Sequence, residues 1–145
     1  MFYLTLITYF YFISILYRMN NWYKTLKKAP WTPPDFVFGP VWTFLYALLA
    51  IAFILVWKDR KCYPYCSALT YFLLQLVFNL MWTTIFFKYK LPGLALMDIV
   101  LMLIFTYYTY NQFTLISKTA SNLLLPYIAW LFVALSMNLY IVLYN

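Results

Sequence analysis

Of 145 residues, 67% are apolar, 25% aromatic and only 9% charged, whereas about a quarter of the residues in a soluble domain are charged; the composition excludes a water-soluble fold. There is no histidine or glutamate, and the only carboxylates are Asp35, Asp59 and Asp98, so metal hydrolysis, histidine acid/base work and paired-carboxylate catalysis lack their parts. Gly39 and Gly93 are the only glycines, which leaves no phosphate-cradling loop, and the net charge of +7 sits at the ends of apolar runs, suiting lipid headgroups and not nucleic acid.

A membrane-spanning helix needs about 20 mostly apolar residues. Five runs, at 2–17, 40–57, 65–87, 93–113 and 123–144, meet or approach that length, with Lys, Arg, Asp, Asn or Pro in each gap. They are too long, and apolar on too many sides, for barrel strands. The chain therefore reads as a single all-α integral membrane domain over 1–145, a bundle of five transmembrane helices. The first run is short; a signal peptide is the competing reading, but no positive residue precedes it and no small-residue cleavage site follows.

The loop at 18–39 comes next. "NNWYKTLKK" reads as one or two amphipathic turns on the membrane surface, with Asn21 as a candidate cap. Pro30, Pro33 and Pro34 then hold "APWTPPD" extended or turning, and Pro40 suits the first turn of the second span. A stiff aromatic loop of this kind makes a lid, because it loses less entropy than a floppy one when it closes over a ligand.

In the second span Trp42, Tyr46, Leu49 and Phe53 make a stripe, and in the third Gln75, Asn79, Trp82 and Phe86 share a face. Amides at membrane depth must find partners in the bundle or in a cavity. Two readings are open from position alone: polar glue between helices, or a ligand site. Between these spans, Cys62 and Cys66 in "KCYPYC" read first as ordinary loop or helix-start residues; in an oxidising compartment they would form a disulfide.

Asp98 lies near the start of the fourth span. It reads either as a functional intramembrane acid or as a first-turn acid favoured by the helix dipole, with amides, indoles, Lys88 or Lys90 as candidate partners. The fifth span places Trp130, Ala134 and Asn138 at four-residue steps. Trp22 and Trp57 fit an interfacial aromatic belt. If the helices alternate, Arg18, Lys24, Lys27, Lys28, Lys88 and Lys90 share one side, against Lys58, Arg60, Lys61 and Lys118; the positive-inside rule puts the lid and residue 145 in the cytoplasm.

Four stretches, "WYKTLKKAPWTPPDFVFGPVWTFLY", "QLVFNLMWTTIFF", "LALMDI" and "PYIAWLFVALSMNLYIVLYN", together resemble the translocator protein or tryptophan-rich sensory protein (TspO/MBR, peripheral-type benzodiazepine receptor) family in order and spacing. The resemblance implies a five-helix bundle, usually a homodimer, with a pocket near the cytosolic helix ends. It implies binding of porphyrins such as protoporphyrin IX, or of isoquinoline and benzodiazepine-type ligands, and a role in tetrapyrrole homeostasis or stress sensing.

Carried over, the pocket is lined by Tyr23 and Pro33 from the lid, Trp42 and Tyr46, then Gln75, Asn79, Trp82 and Phe86, Ile99, and finally Trp130, Ala134, Met137 and Asn138. Trp42 and Trp130 match the tryptophans the family uses in light-dependent porphyrin breakdown, so a light- and oxygen-dependent porphyrin-degrading enzyme is the alternative function. A structural partner without a ligand is a third. No metal or resident cofactor is expected. With no basic residue after Lys118, the sterol-recognition pattern of animal members is not expected either. The bias toward Lys, Asn, Tyr, Phe and Ile favours a bacterial cytoplasmic membrane over a mitochondrial outer membrane.

Overall fold

The computed structural model describes residues 20–145 together with Tyr3, Leu6, Ile7 and Phe10. Those four early positions are helical; the rest of the expected first span at 2–17 lies outside the described residues. A short helix, α1 (Asn20–Lys24), precedes four long ones: α2 (Asp35–Trp57), α3 (Ser67–Thr83), α4 (Pro92–Ile116) and α5 (Lys118–Tyr144). Helix α3 continues into a π turn at Thr84–Lys88. Among the described residues no strand occurs, and four of the helices they form are long and apolar enough to cross a membrane.

Each helix boundary has a local cause. Pro34, at φ −57° and ψ 148°, holds the chain extended, and α2 begins immediately after it. Pro40 therefore lies inside α2 and not in its first turn, a correction to the expected start at 40. Asn21, the expected cap, likewise lies inside α1, which begins one residue before it, at Asn20. Helix α5 starts at Lys118, earlier than the apolar run, because Ser117 Oγ accepts from Ala120 N at 3.3 Å, satisfying one of the free amides of a helix start. At the end of α3 the ladder widens: Tyr89 N donates to Thr84 O (3.1 Å) and Leu91 N to Ile85 O (3.1 Å). Lys90, at φ 57°, turns the chain there in the left-handed region, where glycine is the usual residue.

Helix α3 packs on α4, α4 on α5 and α5 on α2, while α2 touches α3 only briefly. Large apolar side chains such as Phe44, Ile51, Val77, Met97 and Phe132 are exposed on the outside, as a bundle in lipid requires. Away from the lid, Phe72 stacks on Phe113 (5.8 Å between centroids) and meets Phe53 at 5.4 Å. The α2–α3 loop is closed by a disulfide between Cys62 and Cys66. The two cysteines are thus a bonded pair, a correction to their reading as ordinary loop residues. The loop is the one that the charge count assigns to the non-cytoplasmic side, where disulfides persist.

Candidate functional site

A polar network joins the four long helices at the middle of the bundle. Tyr46 OH on α2 donates to Asn79 Oδ1 on α3. Asn79 Nδ2 donates to Tyr127 OH on α5 at 3.1 Å, and Tyr127 OH donates to Gln75 Oε1 at 2.8 Å. The Met102 sulfur of α4 lies 3.5 Å from Tyr127 OH and 3.7 Å from Asn79 Nδ2. The amide oxygens of Gln75 and Asn79 thus tie helices together. Gln75 Nε2, however, is buried without a hydrogen-bond partner.

Above this network the walls are aromatic. Trp42, 3% exposed, sits 5.6 Å from Tyr46, 6.5 Å from Tyr127 and 6.3 Å from Trp130, the two indoles standing nearly perpendicular at 88°. Phe38 covers Trp130 at 5.9 Å. Trp130 Nε1 is buried and has no hydrogen-bond partner. Ile99, Ala134 and Met137 are buried in the same cluster.

A second group lies directly beneath the lid. Trp82 stacks on Phe86 at 5.3 Å, and its Nε1 donates to Asn138 Oδ1 at 3.1 Å. Asn138 Nδ2 in turn donates to Pro92 O at 2.8 Å, fixing the start of α4. Tyr23 of α1 meets Phe86 at 6.1 Å and Phe38 at 6.5 Å, with Lys28 Nζ 4.3 Å from its ring centroid. Trp82 packs against both groups and joins them. Trp22 packs on Phe86 at 5.6 Å, so it belongs to this floor as well as to the interface.

The lid is pinned along α5. Lys27 N donates to Asn145 Oδ1 (2.8 Å), and Asn145 Nδ2 donates to Lys27 O (2.9 Å). Trp31 Nε1 donates to Ser136 Oγ at 3.1 Å, and its ring meets Tyr140 at 5.7 Å. Thr32 N donates to Ala29 O at 3.0 Å, turning the segment before the prolines. Pro33 is half-buried, and Thr32 Oγ1 is buried without a partner.

Asp98 is 5% exposed, and its Oδ2 has no hydrogen-bond partner. With α4 beginning at Pro92, Asp98 lies beyond the first turn, so the dipole reading does not apply. Lys88 and Lys90 are exposed and do not serve it. Tyr127, Met102 and Phe38 were missed from sequence. Tyr127 was within reach, since it stands three residues before Trp130, on the stripe that continues to Ala134 and Asn138. Met102 and Phe38 carry no polar signal that would single them out in an apolar run.

Indoles and side-chain amides enclosed by a bundle of membrane helices, under a proline-stiffened loop, define a helical membrane protein whose interior is consistent with a receptor- or transporter-like role. The chain belongs to the TspO/MBR family, whose match covers residues 2–144. It is 39% identical over 121 residues to the "Tryptophan-rich protein TspO" of Chlorobaculum tepidum, covering 81% of this chain and 75% of the relative. To the "Translocator protein" of Homo sapiens it is 35% identical over 120 residues, covering 81% of this chain and 71% of the relative. To the "Tryptophan-rich sensory protein" of Cereibacter sphaeroides it is 33% identical over 123 residues, covering 85% and 76%.

Proposed function

We propose that the protein binds a flat, aromatic, acceptor-bearing ligand of the porphyrin class, protoporphyrin IX above all, in the bundle interior beneath the lid. Isoquinoline and benzodiazepine-type molecules share the flat aromatic body and would compete for the same walls. The observation that carries the reading is the set of unmatched donors among aromatic rings: Trp130 Nε1 and Gln75 Nε2 are buried with nothing to accept their protons. A buried donor left unmade costs about 1–3 kcal/mol, a cost that a ligand oxygen or nitrogen removes. Asp98 Oδ2, an unmatched acceptor, complements a ligand N–H.

Dark titration of the purified protein with protoporphyrin IX, followed by tryptophan quenching, tests this. Saturable quenching is expected. Trp130→Phe, which keeps a ring and removes the N–H, should weaken binding about 3- to 10-fold, the value of one hydrogen bond. No saturable quenching, or an affinity unchanged in Trp130→Phe, counts against the site as drawn.

A second reading is favoured by the perpendicular contact of Trp42 with Trp130 at 6.3 Å, since two adjacent indoles are oxidisable partners for an excited macrocycle. On this reading illumination of the complex in oxygen destroys the porphyrin, and Trp42→Phe binds it but no longer turns it over. A homodimer in a bacterial cytoplasmic membrane completes the proposal, to be checked by the mass of the protein in nanodiscs and by membrane fractionation.

A further inference from the structure

Cys62 and Cys66 are joined across the loop between α2 and α3, at the end of the bundle away from the lid. The two cysteines are not equivalent. Cys62 is 1% exposed and packs in the core, whereas Cys66 is half-buried and stands immediately before Ser67, the first residue of α3. Tyr63, Pro64 and Tyr65 between them are exposed, so the bond is approached from the Cys66 side. Cys66 is also the residue at the cap position of α3, extended at φ −147° and ψ 166°, and no side chain caps that end. A Ser, Thr, Asp or Asn oxygen usually accepts from the free amides of a first turn. With the bond open, the Cys66 sulfur is the atom in that place, and the helix N-terminus favours a thiolate there.

The loop has supports other than the bond. Asp59 O accepts from Cys62 N (3.0 Å) and Tyr63 N (2.9 Å), and Asp59 Oδ1 accepts from Lys61 N (2.9 Å). Lys61 Nζ donates to Leu115 O at 3.2 Å, near the end of α4. A bridge between residues four apart also contributes at the low end of the disulfide range, since the loop-entropy gain grows with loop length. What a disulfide adds to stability is what resists its reduction, so a short, partly exposed bridge in a loop held by other bonds suits exchange better than permanent stapling. Lys58, Arg60 and Lys61 lie just before it, and Asp59 is the only carboxylate in the loop. Their field draws anions toward the bond.

We propose that the Cys62–Cys66 bridge is a thiol–disulfide exchange site for a small anionic thiol of the glutathione class, with Cys66 the sulfur attacked. The incoming thiolate bonds to Cys66 Sγ, the bond to Cys62 Sγ breaks, and Cys62 leaves as a thiolate that takes a proton from water. A second thiolate then attacks the first thiol's sulfur in the mixed disulfide. This releases the oxidised thiol and leaves a Cys66 thiolate at the start of α3. In sum two thiols give up two electrons and are joined as one disulfide, while the bridge takes up those electrons as a dithiol; run backwards, the same steps oxidise the pair. The site is independent of any ligand beneath the lid.

The test is equilibration of the purified full-length protein in detergent with mixtures of glutathione and its disulfide, then acid quenching, maleimide labelling and mass spectrometry, with helix content read by circular dichroism. The pair should open and close reversibly with the glutathione ratio while helix content is unchanged. In Cys62→Ser the mixed disulfide with glutathione should form on Cys66 about tenfold faster than it forms on Cys62 in Cys66→Ser, as access and thiolate character dictate. Lys58→Gln with Arg60→Gln should slow reduction by glutathione several-fold and leave reduction by uncharged mercaptoethanol nearly unchanged. A bridge that glutathione opens only when denaturant unfolds the protein overturns the proposal, as does a pair that oxidised glutathione does not close. Equal adduct rates on the two cysteines overturn the role of Cys66, and equal slowing with both thiols overturns the preference for an anion.

Discussion

The two ends of the bundle solve the same solvent problem differently. Toward the disulfide loop, buried polar groups are satisfied within their own helices: Thr106 Oγ1 donates to Met102 O, Thr109 Oγ1 to Phe105 O and Ser121 Oγ to Lys118 O. Phenylalanine rings fill the remaining space. Toward the lid, amides, indoles and tyrosines depend on partners from other helices, and the buried polar atoms without partners, on Thr32, Gln75, Asp98 and Trp130, run from mid-bundle to the lid. A dry, self-satisfied end serves stability. An end with polar groups left over has capacity for a ligand, because lipid offers no hydrogen bonds in its place.

That contrast is open to direct attack. Phe72→Ala, at a site 1% exposed and stacked on Phe113, should destabilise most, by about 3 kcal/mol; this is the low end for such a truncation, because apolar transfer contributes little inside lipid. Thermal unfolding should report that loss while porphyrin affinity stays within about twofold; a large loss of affinity would erase the division of labour. Replacing Cys62 and Cys66 together by Ser should cost about 2 kcal/mol by the loop-entropy account, again with affinity retained. The same destabilisation should follow reductant in the unaltered protein and be absent in the double variant.

Tyr127→Phe tests the seam between the ends, because one hydroxyl holds both Asn79 and Gln75. A loss of about 1 kcal/mol in stability is expected, in line with hydrogen bonds between membrane helices, with porphyrin binding weakened threefold or more. An unchanged affinity would place the network with the glue and not the site. The smallest effect belongs to Trp31→Phe, which removes only the exposed bond to Ser136. Stability should move by no more than about 0.5 kcal/mol, while the ligand dissociates faster; equal dissociation rates would show that this bond does not hold the lid.

Much of the site was legible because helical spacing is rigid. Trp42 with Tyr46, and Gln75 with Asn79 and Trp82, fall on common faces whatever surrounds them. The boundaries were less legible. Pro40 looked like a first-turn residue, but the extended Pro34 decides where α2 begins, and the apolar run of α5 conceals a start set by a single serine hydroxyl. Gln75 and Asn79 also left glue and ligand readings open, and the structure assigns their oxygens to neighbouring helices while leaving Gln75 Nε2 unmatched.

By itself the sequence determined the solvent, the helical class and which residues share a face, because these follow from apolar run length and from the fixed period of the helix. Only the tertiary structure decided which faces meet: that Tyr127 closes the network, that Cys62 and Cys66 bond to each other, and that Asp98 Oδ2 is enclosed without a hydrogen-bond partner. In lipid the outside is as apolar as the inside, so hydrophobicity does not tell a helix which way to turn. Packing and the pairing of polar atoms settle that, and both are properties of several helices at once.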